Sequence, residues 1–462
     1  MAESPESAAL SSVARRPQAA PRVLAVPRAV RVGLLGLGTV GSGVLEVLER
    51  NRDDIERKVG RGIEVGRVLV RDVQKPRRVA VPATLLTTDV REILDDPSID
   101  VIVEVMGGTT AALEAVLSAL RRGKHVVTAN KDIMAEHGVA VWDAATEGGA
   151  DVFFEASVGG GIPIVRAVKE SLAANSVRRV AGILNGTTNY ILTRMTQEGC
   201  SLADALGEAQ ALGYAESDPT ADIEGLDAAR KLCILSSIAY SSRCHLRDVS
   251  REGIGDIAAV DIYHGREMGM TIKLLAISEM HEGRISMRVH PTLVPLAHPL
   301  AAVHDTFNAI YVQGDAIGEA MFYGRGAGAL PTASAVLGDL MEAARFAGRD
   351  WRVTGCTCFH QRPVDPPDAV RSRFYVRLLA ADRIGVLEQI AGIFGRAGVS
   401  ILSVQQTPAH KLSPSHPASH AELIVVTHQV REDRMQAAVA GLRRLDCVAG
   451  VGAVLRLAPE DL

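Results

Sequence analysis

Asp227 and Lys231 stand four residues apart in Gly225-Leu-Asp-Ala-Ala-Arg-Lys231, the start of a stretch whose apolar spacing predicts a helix over residues 225–240. At that spacing a carboxylate and an ammonium share one helix face. The same stripe runs on through Ile234 and Ile238, while Arg230, Ser237 and Ser241 fall elsewhere, so the pair points toward the protein interior. An i,i+4 pair is more often a surface salt bridge, worth little. An inward-facing pair at the head of an apolar helix is costly unless it is well compensated or functional. An ammonium in such a place can stabilise negative charge developing on a substrate oxygen and deliver a proton to it. Further carboxylates precede the helix, Glu216 and Asp222 among them, in a segment broken by Gly213 and Pro219.

Elements that would position this group begin at Val30. Val30-Arg-Val-Gly-Leu-Leu35 reads as a buried strand, and Val44, Leu45, Val47 and Leu48 as a helical stripe. Between them lies Gly36-Leu37-Gly38-Thr39-Val40-Gly41. Gly36 permits the tight turn, Gly38 lets the backbone approach a pyrophosphate, and Gly41 lets helix pack closely on strand. The free N–H groups of the helix N-terminus complete a dinucleotide site. The end of the next strand selects the cofactor: an acidic residue there favours NAD, an arginine NADP. Val70-Arg71-Asp72 offers both, with Lys75, Arg77 and Arg78 adding positive charge, so NADP held by Arg71 is expected, with NAD as the other option.

Strands near 63–70, 101–105 and 125–128 alternate with helices to about residue 150, which predicts an α/β fold with a Rossmann-type, doubly wound parallel sheet. From 151 to 323 the texture is less regular and predicts an α+β substrate and dimerisation domain. A glycine loop at 324–328 and a helix over 332–347 form a segment, 324–350, returning to the nucleotide domain. Residues 351–372, with several prolines, read as a linker. Residues 373–458 follow the strand-helix-strand-strand-helix-strand order of a ferredoxin-like unit, suggesting independent folding. Residues 1–29, rich in Ala, Ser, Pro and Arg, read as a disordered tail with a faint likeness to a transit peptide.

The stretch from Ala209 to Lys231 resembles the signature of homoserine dehydrogenases. The likeness extends to Thr128-Ala-Asn-Lys131, the loop from Glu155 to Pro163, Asn185-Gly-Thr-Thr-Asn189 and Gly324-Arg-Gly-Ala-Gly328, and it spans roughly residues 31–350. It implies NAD(P)-dependent interconversion of L-aspartate 4-semialdehyde and L-homoserine, in the branch leading to threonine, methionine and isoleucine. On this resemblance Lys231 is the general acid/base. Asp227 and Glu216 bind the substrate, Asp222 supports them, and Lys131 lies where cofactor and substrate meet. Gly107, Gly213 and Gly328 line the cleft. The resemblance also implies a sodium ion held by Glu155 and the carbonyls of Val158, Gly160 and Ile162. The C-terminal unit resembles ACT domains through Ala381-Asp382-Arg-Ile-Gly385-Val-Leu-Glu-Gln-Ile390 and Ala397-Gly-Val-Ser-Ile401. Such domains pair side by side and bind amino acids, which implies an effector near Asp382, Gly385 and Ser400. Threonine is the nominated effector, and a homodimer or homotetramer is expected.

Two other readings compete: a dehydrogenase of the same architecture acting directly on aspartate, and a catalytically silent amino-acid sensor. The sensor reading predicts loss of Lys231 or Asp227, and both are present. A net charge of −4 over 462 residues, without a basic stripe, makes no case for nucleic-acid binding. No apolar run is long enough to span a bilayer, so no membrane role is expected. The six cysteines are scattered, which suits a cytoplasmic protein. Cys356-x-Cys358, the one close pair, reads as chance proximity of reduced thiols.

Overall fold

The structure, a computed structural model, describes residues 28–347, 355–409 and 419–459. The expected tail up to residue 27, residues 348–354 and much of the polar loop at 408–419 lie outside the described residues.

The first sheet is parallel throughout. Its strands are β1 (Val30–Leu35), β2 (Ile63–Leu69), β3 (Leu86–Thr87), β4 (Val101–Glu104), β5 (His125–Thr128) and β6 (Val152–Phe153), in the order β3-β2-β1-β4-β5-β6. Val101, Ile102 and Val103 are wholly buried, as expected where helices cover both faces of a parallel sheet. The covering helices include α1 (Thr39–Arg50), α2 (Arg52–Val59), α3 (Arg91–Leu94), α4 (Ala111–Arg121) and α5 (Lys131–Gly148). The strand order reverses at β1, so the Gly36–Gly41 turn opens at the switch point, where α/β sheets bind nucleotides.

The next part holds β7 (Val177–Ile183), α6 (Gly186–Glu198), α7 (Leu202–Ala211), α8 (Thr220–Ile223), α9 (Leu226–Ala239), β8 (Ser250–Arg251), α10 (Ala259–Glu267), β9 (Met270–His281), β10 (Arg284–Pro295), β11 (Phe307–Gly314) and β12 (Gly318–Arg325). The β9–β10 hairpin, absent from the sequence reading, turns on Glu282 and Gly283, both with positive φ (49° and 76°). That is the two-residue turn matching the twist of antiparallel strands. Helix α11 (Ala329–Phe346) then returns to the nucleotide domain. It starts three residues before the expected 332, with Gly328 as its N-cap. It packs so closely on α1 that a Cβ at Gly43 would lie 2.8 Å from the Ala329 carbonyl oxygen.

The C-terminal unit comprises β13 (Arg371–Ser372), β14 (Phe374–Ala381), α12 (Val386–Arg396), β15 (Ile401–Pro408), β16 (His420–Thr427), β17 (Val430–Arg431), α13 (Glu432–Leu442) and β18 (Val448–Leu457). Its proline-rich approach suggested independence, but its sheet continues that of the substrate domain, in the order β12-β11-β7-β9-β10-β18-β14-β16-β15. The join is parallel, with Thr292 opposite Arg456 and Leu293 opposite Leu457. The two-residue period of β14 explains why this face is not solvated. Phe374, Val376 and Leu378 fill the unit's own core, while Tyr375 belongs to the core shared with Ile272 and Leu293. Arg377, on the Tyr375 face, grips Asp261 of α10 through Nε (2.6 Å) and Nη2 (3.1 Å). Glu422 lies 3.6 Å from Arg377 and 3.3 Å from His264.

Candidate active site

The i,i+4 spacing on α9 places Lys231 Nζ 2.6 Å from Asp227 Oδ2, and the side chains of both are about nine-tenths buried. Lys231 also donates to the Leu184 carbonyl (2.8 Å), at the end of the β7 segment. Lys131, the first residue of α5, reaches the other Asp227 oxygen at 3.2 Å. Burial pushes the Asp227 carboxyl up, yet the two ammonium groups and hydrogen bonds from Lys231 and Asn185 hold it well below the usual carboxylate range. The same carboxylate raises Lys131 against its own desolvation.

Asn185 was part of a matched motif, but no role was assigned to it. It caps α6 by accepting from Thr188 N (2.8 Å), and its amide donates to Asp227 (2.9 Å) and Asp222 (2.7 Å). Asparagine's N-cap preference was the available signal; that the free amide would bridge two carboxylates was not. Burial, then the Asp227 charge, raises the Asp222 carboxyl. Thr187 Oγ1 donates to the Tyr214 carbonyl (2.8 Å), tying the Gly213 turn (φ 75°) to α6. Glu216 is not brought into this cluster: it is exposed, and its side chain makes no hydrogen bond or ion pair among the described residues.

Glu104, also unassigned from sequence, sets the opposite wall. It is fully buried at the end of β4 and accepts from Thr128 Oγ1 (2.6 Å), Met106 N (2.8 Å) and Gly107 N (3.3 Å). Burial pushes its carboxyl up against those hydrogen bonds. Asn130 links this loop to α5 by donating to the Gly108 carbonyl (2.8 Å) and capping Ile133 N (3.2 Å). Lys131 follows directly, so the nucleotide sheet fixes the base of one lysine and the substrate domain that of the other.

Around the first turn, Gly36 has φ 103°, and a Cβ there would lie 2.9 Å from the Val105 carbonyl. A Cβ at Gly38 would meet nothing within 4 Å, so the backbone is open to a ligand where α1 begins. Thr39 is exposed beside it, Leu37 and Val40 are half-buried, and Gly41 presses on the Gly36 carbonyl. Gly107 also faces open space. Arg71 is exposed with no side-chain partner among the described residues, whereas Arg77 is occupied with the Asp72, Val73 and Lys75 carbonyls. These residues fit a dinucleotide.

The two remaining glycine loops meet, with Gly161 N donating to the Arg325 carbonyl at 3.0 Å. The Glu155 carboxylate accepts from Val165 N and Arg166 N, both at 2.8 Å, and so caps a helical turn. The carbonyls of Val158 and Gly160, in buried residues, accept no hydrogen bond among the described residues, while that of Ile162 accepts from Ile164 N (2.8 Å). In the C-terminal unit Asp382 and Gly385 stand at the start of α12 and Ser400 beyond its end, so one chain does not gather all three.

Residues 163–341 match the homoserine dehydrogenase family, 36–155 the homoserine dehydrogenase NAD binding domain, and 374–446 the ACT domain. The homoserine dehydrogenase of Mycobacterium tuberculosis is 45% identical over 93% of this chain and 97% of its own, and that of Bacillus subtilis 41% identical over 93% and 98%. The crystal structure of a homoserine dehydrogenase from Thiobacillus denitrificans superposes with a TM-score of 0.87 at 43% identity, covering 93% of this chain and 98% of that one. A hyperthermophilic archaeal homoserine dehydrogenase mutant in complex with NADPH gives a TM-score of 0.58 at 27% identity, covering 69% of this chain. The chain belongs to the homoserine dehydrogenase family, nicotinamide-dependent oxidoreductases acting on a CH–OH group, and carries an ACT domain at its C-terminal end.

Proposed function

We propose that homoserine and aspartate semialdehyde are interconverted at the cluster of Lys231, Asp227 and Lys131. One observation carries this: Lys231 has three N–H donors, Asp227 and the Leu184 carbonyl take two, and the third remains for a substrate oxygen. When bound, the nicotinamide exchanges a hydride with the substrate carbon. Lys231 delivers a proton to the aldehyde oxygen as it gains negative charge, and takes the hydroxyl proton in the other direction. Asp227 keeps Lys231 aimed and meets the substrate's ammonium. Asp222 orients Asn185, and Lys131 closes the site from the nucleotide side. Steady-state assay of homoserine oxidation with NAD and with NADP tests the reading, and absence of turnover with both overturns it.

NADP is the preferred cofactor on this reading, because Arg71 is uncommitted at the end of β2. Arg71→Ala then weakens NADP roughly tenfold to a hundredfold, the scale of one charge-assisted hydrogen bond, and leaves NAD kinetics nearly unchanged. Equal losses for both cofactors would refute the assignment.

Sodium is supported by the Val158 and Gly160 carbonyls: buried carbonyl groups seldom go without a partner, and hard oxygens suit an alkali cation. Glu155 would contribute from its main chain, its carboxylate being engaged elsewhere. The ion would fix the loop that packs on residues 324–328. Thermal stability should rise with sodium chloride relative to equal choline chloride; identical melting curves would exclude a specific ion.

Threonine is proposed as the ACT effector. Asp382 and Gly385 would come from one chain and Ser400 from a second copy, which requires at least a homodimer. Deleting residues beyond 365 would strip the shared core, so substitution is the cleaner test. Asp382→Ala should raise the threonine concentration for half-inhibition about tenfold without changing uninhibited turnover. Unaltered inhibition would place the effector elsewhere.

A further inference from the structure

Cys356 and Cys358 do not merely lie near each other in sequence. Cys356 Sγ accepts the Cys358 backbone N–H at 3.4 Å, and Cys358 Sγ donates to the Ser237 carbonyl of α9 at 3.7 Å. Both line a cavity of about 90 Å³ behind the catalytic helix, and Cys233 and Cys244 line it too. Trp142 and Phe154 form its apolar side, and Lys169 and Arg243 bring positive charge. That is well above the roughly 10–15 Å³ that a single water needs, and so enough for a small polar oxidant.

We propose that Cys356 is a peroxide-reactive thiol and that Cys358 resolves it as a disulfide. The Cys356 thiolate attacks one oxygen of a hydroperoxide. The O–O bond breaks, the other oxygen leaves with a proton, and the sulfur becomes a sulfenic acid, oxidised by two electrons while the peroxide is reduced. The Cys358 thiolate then attacks that sulfur. The S–O bond breaks, the departing oxygen takes up the proton that Cys358 gave up and leaves as water, and the S–S bond closes.

The four thiols are not equivalent. The Cys358 S–H rotates between the Ser237 carbonyl and Cys356; turned to Cys356 it, then the Cys358 backbone N–H, Arg243 and Lys169, hold Cys356 below its ordinary value despite burial. Burial pushes Cys233 and Cys244 up to about 12, which keeps them protonated and inert. Cys358 is raised, first by its hydrogen bond to Cys356, then by burial and the Cys356 charge. Oxidation of Cys356 removes that charge and frees Cys358 to attack. The pair also lies on the strap between the catalytic helix and the ACT domain: beyond it His360 N donates to the Ser241 carbonyl (2.8 Å) and Arg362 N to Ser242 Oγ (2.9 Å).

The test treats reduced, full-length protein with a few equivalents of hydrogen peroxide and maps all six cysteines by mass spectrometry. The expected product is a Cys356–Cys358 disulfide with the other four thiols unchanged. Cys358→Ser should stop at a sulfenic acid on Cys356, trapped by a cyclic 1,3-dione, and Cys356→Ser should leave Cys358 reduced. Both variants, reduced, should oxidise homoserine at the parent rate, which shows that they are folded. Cys356 surviving while any other cysteine oxidises, or a disulfide joining a different pair, overturns the proposal.

Discussion

Replacing Lys231 with alanine is expected to lower homoserine turnover by about 100-fold or more while nucleotide affinity stays near its starting value. The magnitude is that of general acid–base catalysis, which contributes about 10² to 10⁴. The geometry explains why the loss should fall on the chemical step. Asp227 keeps Lys131 at 3.2 Å and the Asn185 amide at 2.9 Å when Lys231 is removed, so its buried charge remains compensated and the site stays assembled. The Gly36–Gly41 turn and Arg71 lie on other elements and do not touch Lys231. Lys231→Arg should rescue little, because a guanidinium keeps the charge but does not release its proton near neutral pH. Transient kinetics with saturating cofactor would measure the chemical step directly. Near-parental turnover in the alanine variant would remove Lys231 from the reaction; a loss of cofactor affinity matching the loss of rate would make its role structural.

The second large effect is expected far from that site. Arg377→Met should destabilise the protein by about 3–5 kcal/mol, the usual consequence of leaving a buried charge without its partner. Asp261 is fully buried and, among the described residues, would keep only the Tyr375 hydroxyl (3.3 Å) and the Ala258 N–H (3.0 Å). Glu422, also buried, would lose its guanidinium neighbour as well. Adding Asp261→Asn to Arg377→Met should recover part of the loss, because both partners of the main pair are then uncharged. Denaturant unfolding of the four members of this cycle measures the coupling. An unchanged midpoint for Arg377→Met would mean that this contact between the catalytic and ACT domains carries no stability.

Much of the site was legible because its chemistry is local. Asp227 and Lys231 meet through helical spacing alone, and the Gly36–Gly41 turn is read from a strand before it and an apolar stripe after it. Lys131 was harder. Its approach to Asp227 joins residues far apart in the chain, and only the family resemblance brought it forward. Asn185 and Glu104 were missed because their work depends on which loops the fold brings to them. A capping asparagine and a strand-end glutamate look alike whether or not they hold a site together. In the fold, the β9–β10 hairpin carried its signal in Glu282-Gly283, hidden by a run whose two faces are both largely buried and so shows little alternation. The join between β10 and β18 had no local signal, since it pairs strands from two domains across most of the C-terminal half.

That join also bears on the order in which the chain is made. During synthesis β10 leaves the ribosome long before β18, and the neighbour that completes its sheet follows only after the strands and helices of the ACT unit that precede it. Until then the β10 edge of the substrate-domain sheet is paired where β8 lies against Arg288 and Val289 but open at Thr292 and Leu293, and the apolar surface that will meet Tyr375, Leu455 and Leu457 is bare. Open strand edges and uncovered apolar faces are what draw nascent chains into aggregates or onto chaperones. The catalytic helix can form early from its own residues, but the sheet it rests on is finished only by the ACT unit. Chains stalled shortly before residue 448 should therefore stay bound to holdase chaperones and sensitive to protease, even though every residue of the Lys231 cluster has already been made.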